Sequence, residues 1–132
     1  MPDRSMPSQQ SSRHTILVVE DDLLVRMPIA EFLRDCGYTV LEAENAQEAM
    51  TLVDADGSVR LVFSDVRMPG AVDGFGLAEW LRQTHPDVQV LLTSGYNSTR
   101  RVPQDIAREA RLIEKPYSQA QVARKIEHLL NA

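Results

Sequence analysis

The sequence predicts an α/β fold in which five parallel strands alternate with helices. Short runs of branched apolar residues recur along the chain, as in residues 16–19, and such continuous runs suit strands buried on both faces. Segments with a helical spacing of apolar residues follow these runs. Regular alternation of strand and helix implies a parallel sheet covered by helices on both faces and connected by right-handed crossovers.

The composition is that of a single ordinary globular domain. The 132 residues are 43% hydrophobic and 25% charged, and the formal net charge is −5. This charge argues against direct nucleic-acid binding, and no apolar run approaches the roughly 18 residues of a membrane span. The single cysteine, Cys36, excludes an internal disulfide and favours a cytoplasmic location.

The chain divides into two predicted segments. Residues 1–13 are rich in proline, serine and glutamine and lack an apolar centre. They are therefore predicted to be a disordered leader and not a secretory signal. Residues 14–132 are predicted to form the folded domain.

The first predicted strand covers residues 14–20 and ends at consecutive acids, the last of which are Asp21 and Asp22. A helix over residues 23–36 follows, and Gly37 is a natural stop for it. The apolar residues of this helix that are expected to pack inward are Leu24, Ile29, Phe32 and Leu33.

The second strand is predicted over residues 38–43, and Asn45 with Glu48 three positions later is typical of a helix start. The helix that follows covers residues 46–53. The third strand covers residues 60–64 and leads to the residues on which the domain is centred, which are Asp65 and the turn Met68-Pro69-Gly70.

The second half of the domain continues the alternation. A helix is predicted over residues 77–84, and a strand over residues 88–92 leads to Thr93 and Ser94. A short or irregular helix is expected within residues 96–110. A fifth strand over residues 111–114 ends at Lys115-Pro116, and the last helix runs to about residue 130 after a capping box formed by Ser118 and Gln121.

Polar side chains that follow separate strands are expected to meet, because the carboxyl ends of parallel strands lie on one edge of the sheet. Neighbouring carboxylates repel each other, and a hard divalent cation such as Mg²⁺ relieves that repulsion. Asp65 could then act as a nucleophile toward phosphorus, with Lys115 neutralising a phosphoryl oxygen and the hydroxyl of Thr93 donating to another.

The arrangement resembles the receiver domain of two-component response regulators over about residues 15–130. The resemblance implies a flavodoxin-like doubly wound (βα)5 sandwich whose five-stranded sheet has the order 2-1-3-4-5. The matching motifs are Val19-Glu20-Asp21-Asp22, Asp65 with Met68-Pro69, Asp73-Gly74, Thr93-Ser94 and Lys115-Pro116.

The resemblance also implies a role for each site residue. Asp65 would be the phosphorylated aspartate, Thr93 would contact the phosphoryl group, and Lys115 would pair with the carboxylate and then with the phosphate. The peptide bond between Lys115 and Pro116 is cis in much of the family. The implied Mg²⁺ ligands are Glu20, Asp21, Asp65 and the backbone carbonyl of Arg67.

The function that the resemblance implies is signalling. The domain would accept a phosphoryl group from a sensor histidine kinase or a histidine phosphotransfer protein and would change its contacts with an unidentified output protein. The surface formed by the predicted helix within residues 96–110, the fifth strand and the last helix would make those contacts. Such a domain catalyses its own phosphorylation and slow dephosphorylation but is not an enzyme in the ordinary sense, and no nucleic acid or membrane is expected as a direct partner.

Two other functions fit parts of the pattern. The first is a phosphatase or phosphotransferase with Asp65 as nucleophile, but such hydrolases usually place a second aspartate two residues later, where this chain has Arg67. The second is a flavin carrier, which needs a Ser/Thr/Gly phosphate loop after the first strand, where this chain has three acids. Taken singly, Asp65 could also start a turn, Thr93 could close a strand, and Lys115 could be an exposed lysine.

The chain departs from the family pattern at the position where many receivers have an aromatic switch residue. That position holds Leu112, three residues before Lys115, so Tyr96 is the nearest aromatic candidate for a switch. The turn after Pro69 is also one residue longer than the common form. Arg67 and Gly95 are expected to flank the path of attacking water.

Overall fold

The computed structural model describes residues 14–95 and 111–131. Five strands form one parallel sheet in the predicted order β2-β1-β3-β4-β5. The strands are β1 Thr15–Val19, β2 Thr39–Ala43, β3 Val59–Asp65, β4 Gln89–Ser94 and β5 Leu112–Glu114. The helices of the described residues are α1 Leu23–Asp35, α2 Ala46–Ala55, α3 Gly74–Thr84 and α4 Gln119–Leu130.

Two predicted segments lie outside the described residues. These are the leader over residues 1–13 and the irregular helix within residues 96–110, which includes Tyr96. Among the residues that the structure describes, no helix combines the length and the apolar character needed to cross a membrane.

The sheet separates two apolar cores because side chains alternate between its faces. In β1, Leu17 and Val19 belong to the core beneath α2 and α3, whereas Ile16 and Val18 belong to the core beneath α1 and α4. Each of these four side chains is at most 1% exposed. This burial on both faces explains why the strand reads as a continuous apolar run.

The predicted helix starts at Asn45 and Ser118 are confirmed. The Asn45 side chain accepts a hydrogen bond from the backbone N–H of Glu48 at 2.8 Å. Ser118 and Gln121 form the expected capping box, with reciprocal bonds of 3.1 and 2.7 Å. These caps satisfy backbone donors that have no partner within the helix.

Several element boundaries differ from the prediction by one to three residues, and two of these differences involve residues of the predicted motifs. Helix α3 begins at Gly74 and not near residue 77, because the Asp73 side chain accepts from the N–H of Gly76 at 2.9 Å and caps the helix there. Strand β4 extends to Ser94, so Thr93 and Ser94 lie within the sheet and not after it. Backbone pairing with β5 holds both residues in the strand.

The first turns of α1 expose apolar side chains and bury a charged one, the opposite of what was expected. Leu24 was expected to pack inward, but it is 82% exposed, and Leu23 and Met27 are also exposed. The inward position belongs instead to Arg26, whose side chain is only 12% exposed. The prediction for Leu24 is therefore wrong, whereas Ile29 and Leu33 are buried and Phe32 packs at the edge of the core.

Candidate functional site

Asp65 is the last residue of β3 and lies beside Thr93 of β4 in the register of the sheet. The backbone N–H of Val66 donates to the carbonyl of Thr93 at 2.8 Å and continues this pairing past the end of the strand. The Asp65 side chain is 11% exposed and Thr93 is 3% exposed. The carboxylate therefore lies where the parallel strands have their carboxyl ends, in a largely enclosed position that solvent can still reach.

Lys115 forms an ion pair with Asp65, with 2.9 Å between Nζ and Oδ2. The other carboxylate oxygen, Oδ1, accepts from the backbone N–H of Arg67 at 3.2 Å. Lys115 follows β5, and its N–H donates to the carbonyl of Ser94 at 2.9 Å, so the strand pairing directs it toward Asp65. The bond between Lys115 and Pro116 is cis, as the resemblance implied.

The electrostatic environment favours the charged form of Lys115. Burial opposes this charge, but the hydrogen bond from the amine to Asp65 and the negative charges of Asp65 and Glu20 raise the pKa of Lys115 above its ordinary value. The site therefore contains a cation held next to the carboxylate of Asp65.

Glu20 follows β1 and is 8% exposed. Its Oε2 accepts from the backbone N–H of Asp22 at 3.0 Å. Burial raises the pKa of Glu20 from 4.5 to about 7, and the charge of Asp65 and the hydrogen bond with Asp21 add to this rise, against the opposing effects of the Asp22 N–H and Lys115. The pKa of Glu20 therefore depends mainly on burial and in smaller part on the charge of Asp65.

The predicted magnesium ligands do not form a closed cluster of side chains. Within residues 14–95 and 111–131, no group of three or more His, Cys, Asp or Glu residues could hold a metal ion. Mg²⁺ does not require such a group, because it usually keeps several waters and takes one or two carboxylates, with phosphate oxygens of a substrate. Glu20, Asp21 and Asp65 offer only hard oxygen donors, so the donor set fits Mg²⁺ in its chemistry.

Gly74 brings the start of α3 against the backbone of the Asp65 segment, a contact that sequence reasoning did not identify. A Cβ at position 74 would lie 2.5 Å from the carbonyl oxygen of Asp65 and 2.7 Å from the Cα of Val66. The N–H of Gly74 also donates to the carbonyl of Val66 at 2.8 Å. Only glycine permits this approach without a backbone shift.

Arg26 is a second residue that sequence reasoning missed. Its Nη1 donates to the backbone carbonyl of Glu20 at 2.9 Å, and its Nε donates to the carboxylate of Glu42 at 2.9 Å. A signal existed, because Arg26 lies three and seven positions before Ile29 and Leu33, on the buried stripe of the helix. A charged residue on that stripe needs polar partners.

The remaining predicted positions have different environments. Leu112 is half-buried against the core beneath α2 and α3. A Cβ at Gly95 would meet nothing within 4 Å, and Arg67 is exposed. The expected output surface is described only for β5 and α4, because the rest of it falls within residues 96–110.

Comparisons with known proteins agree on one family. The profile of the response regulator receiver domain matches residues 16–127. The chain is 38% identical over 124 residues to the sensor kinase CckA of Brucella abortus, covering 91% of this chain and 13% of the kinase. It is 28% identical over 118 residues to the response regulator receiver protein CpdR of the same organism, covering 89% of this chain and 97% of that protein.

A solved structure agrees with these relatives. The receiver domain of the hybrid histidine kinase CckA superposes with a TM-score of 0.70 at 31% identity, covering 88% of this chain and 98% of that domain. The chain spans only a small part of several curated relatives. These include a cyclic di-GMP phosphodiesterase of Thermotoga maritima, of which it spans 31%, and the regulator NtrX of Azorhizobium caulinodans, of which it spans 23%.

Proposed function

Because the chain belongs to the response regulator receiver domain family, whose members are phosphoacceptors in two-component signalling, we propose that Asp65 is the residue that accepts the phosphoryl group. The ion pair between Lys115 Nζ and Asp65 Oδ2, 2.9 Å long at the edge of the sheet, is the observation that best supports this assignment. A lysine here neutralises charge on the carboxylate and, after transfer, on a phosphoryl oxygen.

The reaction forms one bond and breaks one bond. A carboxylate oxygen of Asp65 attacks the phosphorus of a phosphohistidine, and the P–N bond breaks with its electron pair passing to the imidazole, which takes up a proton. The product is an acyl phosphate on Asp65. Thr93, adjacent in the register, supplies a hydroxyl for a second phosphoryl oxygen, and Lys115 changes its partner from the carboxylate to the phosphoryl group.

We propose that Mg²⁺ would be held by the carboxylates of Glu20, Asp21 and Asp65 and by the backbone carbonyl of Arg67. Asp21 and Arg67 are exposed, and Asp65 lies at the edge of the sheet, so these oxygens can be reached from solvent. When bound, the cation would supply positive charge to the phosphoryl oxygens during transfer.

Receivers of this family act with histidine kinases and with output proteins or domains. For this chain, the donor is a sensor histidine kinase or a histidine phosphotransfer protein, and the acceptor of the signal is an output protein that contacts the surface around β5 and α4. The reaction takes place in the cytoplasm, which is consistent with a chain that has a single cysteine and no disulfide. The domain is a switch and not an enzyme with a separate substrate.

A phosphatase that uses Asp65 as nucleophile is disfavoured. The position two residues after the nucleophile, where such enzymes usually have an acid, holds Arg67, and the backbone N–H of Arg67 donates to Asp65 at 3.2 Å. The protein is therefore expected to show no turnover of small phosphomonoesters such as p-nitrophenyl phosphate. Multiple turnovers that are lost in Asp65→Asn would favour the phosphatase.

The assignment of Asp65 is tested by incubating the protein with Mg²⁺ and acetyl phosphate and measuring the intact mass. The wild type is expected to gain one phosphoryl group, which hydroxylamine removes because it cleaves acyl phosphates. Asp65→Asn is expected to gain none, whereas Asp87→Asn, a change in an exposed turn, should behave as the wild type. Retention of the mass gain in Asp65→Asn would refute the assignment.

A further inference from the structure

Arg26 occupies a position on α1 that helical spacing would normally give to an apolar residue. It lies on the stripe of the buried residues Ile29 and Leu33, and its side chain is 12% exposed. Meanwhile Leu24 and Met27 of the same turns are 82% and 44% exposed. Burying a guanidinium while apolar side chains face solvent is unfavourable unless the guanidinium makes specific hydrogen bonds.

The hydrogen bonds of Arg26 join three parts of the domain. From α1, Nη1 reaches the carbonyl of Glu20 at the end of β1, and Nε reaches Glu42 on β2, each at 2.9 Å. The Glu20 residue is also held at its N–H, which donates to the carbonyl of Ala43 at 3.0 Å, and at its carboxylate, which accepts from Asp22. Arg26 thus completes a set of bonds that fixes the peptide between Glu20 and Asp21.

We propose that Arg26 is a positioning residue for the divalent cation site, an inference that rests on the proposed function. Its guanidinium fixes the Glu20 carbonyl and thereby the direction in which the carboxylates of Glu20 and Asp21 leave the backbone. Adjacent carboxylates repel each other, so an unrestrained loop separates them. Arginine suits this role because its planar fork donates to two acceptors in a fixed geometry, which the single ammonium of lysine cannot reproduce.

Arg34 provides a matched control on the same helix. Its Nη2 donates to the same Glu42 carboxylate at 3.2 Å and to the carbonyl of Val40 at 2.9 Å. It therefore joins α1 to β2 as Arg26 does, but its bonds do not include the Glu20 peptide. If Arg26 served only to join the helix to the sheet, replacing either arginine would have similar consequences.

The test compares Mg²⁺ affinity in the wild type, Arg26→Gln and Arg34→Gln, measured from backbone amide chemical shifts during titration with MgCl₂. Loss of an outer hydrogen bond to a metal ligand typically weakens affinity about 10-fold or more. We expect at least that loss in Arg26→Gln and none in Arg34→Gln. Arg26→Lys, which keeps the charge and part of the packing, is expected to lose affinity as Arg26→Gln does.

A second measurement separates positioning from damage to the fold. With acetyl phosphate as donor, the Mg²⁺ concentration that gives half-maximal phosphorylation should rise in Arg26→Gln, while the rate at saturating Mg²⁺ stays near that of the wild type. Equal affinity in the wild type and Arg26→Gln, or equal losses in the two arginine variants, would overturn this inference alone. A wild type that binds no Mg²⁺ would overturn the metal assignment in the proposed function together with this inference.

Discussion

Glu20 is a carboxylic acid held where its charge is disfavoured. Burial, assisted by the charge of Asp65, raises its pKa from 4.5 to about 7. An unfolded chain ionises near the ordinary value, so between about pH 4.5 and pH 7 the folded protein keeps a proton that the unfolded chain has released. The free energy of unfolding of the metal-free protein is therefore expected to contain a contribution that decreases as pH rises through this window.

The prediction is tested by urea unfolding in EDTA, followed by the fluorescence of the single tryptophan, Trp80, at pH 5 and pH 7.5. Glu20→Gln removes the titrating group, so the variant should lose less stability between these two pH values than the wild type does. Glu31→Gln, an exposed change on α1, should keep the wild-type dependence. If the wild type and Glu20→Gln lost the same free energy of unfolding between pH 5 and pH 7.5, the predicted contribution of Glu20 would be contradicted.

Sequence reasoning identified Asp65, Thr93 and Lys115 because each follows or ends a strand, and strand ends of a parallel sheet converge. Their proximity is observed, whereas their roles stay predictions. Arg26 was not identified because its function depends on a backbone carbonyl, and an acceptor that every residue possesses leaves no mark in the sequence. Glu42 gives no signal either, since an acid on a strand near the edge of the sheet is ordinary.

At the scale of elements, the start of α3 packs closely against the end of β3. A Cβ on Gly74 would lie 2.5 Å from the carbonyl oxygen of Asp65 and 2.7 Å from the Cα of Val66, and neither backbone atom can move aside as a flexible side chain would. Gly74→Ala is expected to reduce the free energy of unfolding by about 1–3 kcal/mol, the usual range for overpacking. The displaced Asp65 segment should also be phosphorylated more slowly by acetyl phosphate.

A matched change separates this clash from the general effect of replacing glycine. A Cβ on Gly57 would meet nothing within 4 Å, so Gly57→Ala should leave both stability and phosphorylation near wild type. Urea unfolding and phosphorylation of the two variants, measured side by side, check the prediction. If Gly74→Ala were as stable and as reactive as Gly57→Ala, the contact would have no consequence for the site.

The sequence predicted the kind and order of the described elements, but it predicted their ends less well. The helix was predicted to begin at residue 77, but the first turn already starts at Gly74 because the Asp73 side chain supplies an acceptor for a backbone N–H there. The polar residues Thr93 and Ser94 suggested that β4 had ended, but both pair with β5, and Thr93 also pairs with Asp65 of β3. In α1, the apolar character of Leu24 favoured it as an inward residue, but the buried residues Ile29 and Leu33 define a face of the helix on which Leu24 does not lie.

For the whole molecule, a bound cation is expected to stabilise the folded state by mass action, because unfolding separates Glu20 and Asp21 from Asp65. A ligand at 100 times its Kd adds about 2.7 kcal/mol to the free energy of unfolding. The Tm of the wild type should therefore rise with MgCl₂ concentration and fall again on addition of EDTA. Differential scanning calorimetry at constant ionic strength measures this change.

The control for this effect is the loss of one proposed ligand. Asp21→Asn should show a much smaller rise of Tm with Mg²⁺, because the exposed carboxylate of Asp21, which follows β1, is one of the proposed Mg²⁺ ligands. Glu31→Gln should respond as the wild type. A full Mg²⁺ response in Asp21→Asn would place the cation elsewhere in the protein.

The pairing of Asp65 with Thr93 has a consequence for the fidelity of folding. The central residues of β3 and β4 are apolar on both faces, so hydrophobicity alone distinguishes weakly between one alignment of these strands and its neighbour. A shift by one residue would set Leu92 or Ser94 beside Asp65 and turn the hydroxyl of Thr93 to the opposite face. A misaligned sheet could thus remain compact yet lack the proposed phosphoacceptor arrangement, so a loss of phosphorylation by acetyl phosphate would report such errors sooner than a loss of compactness.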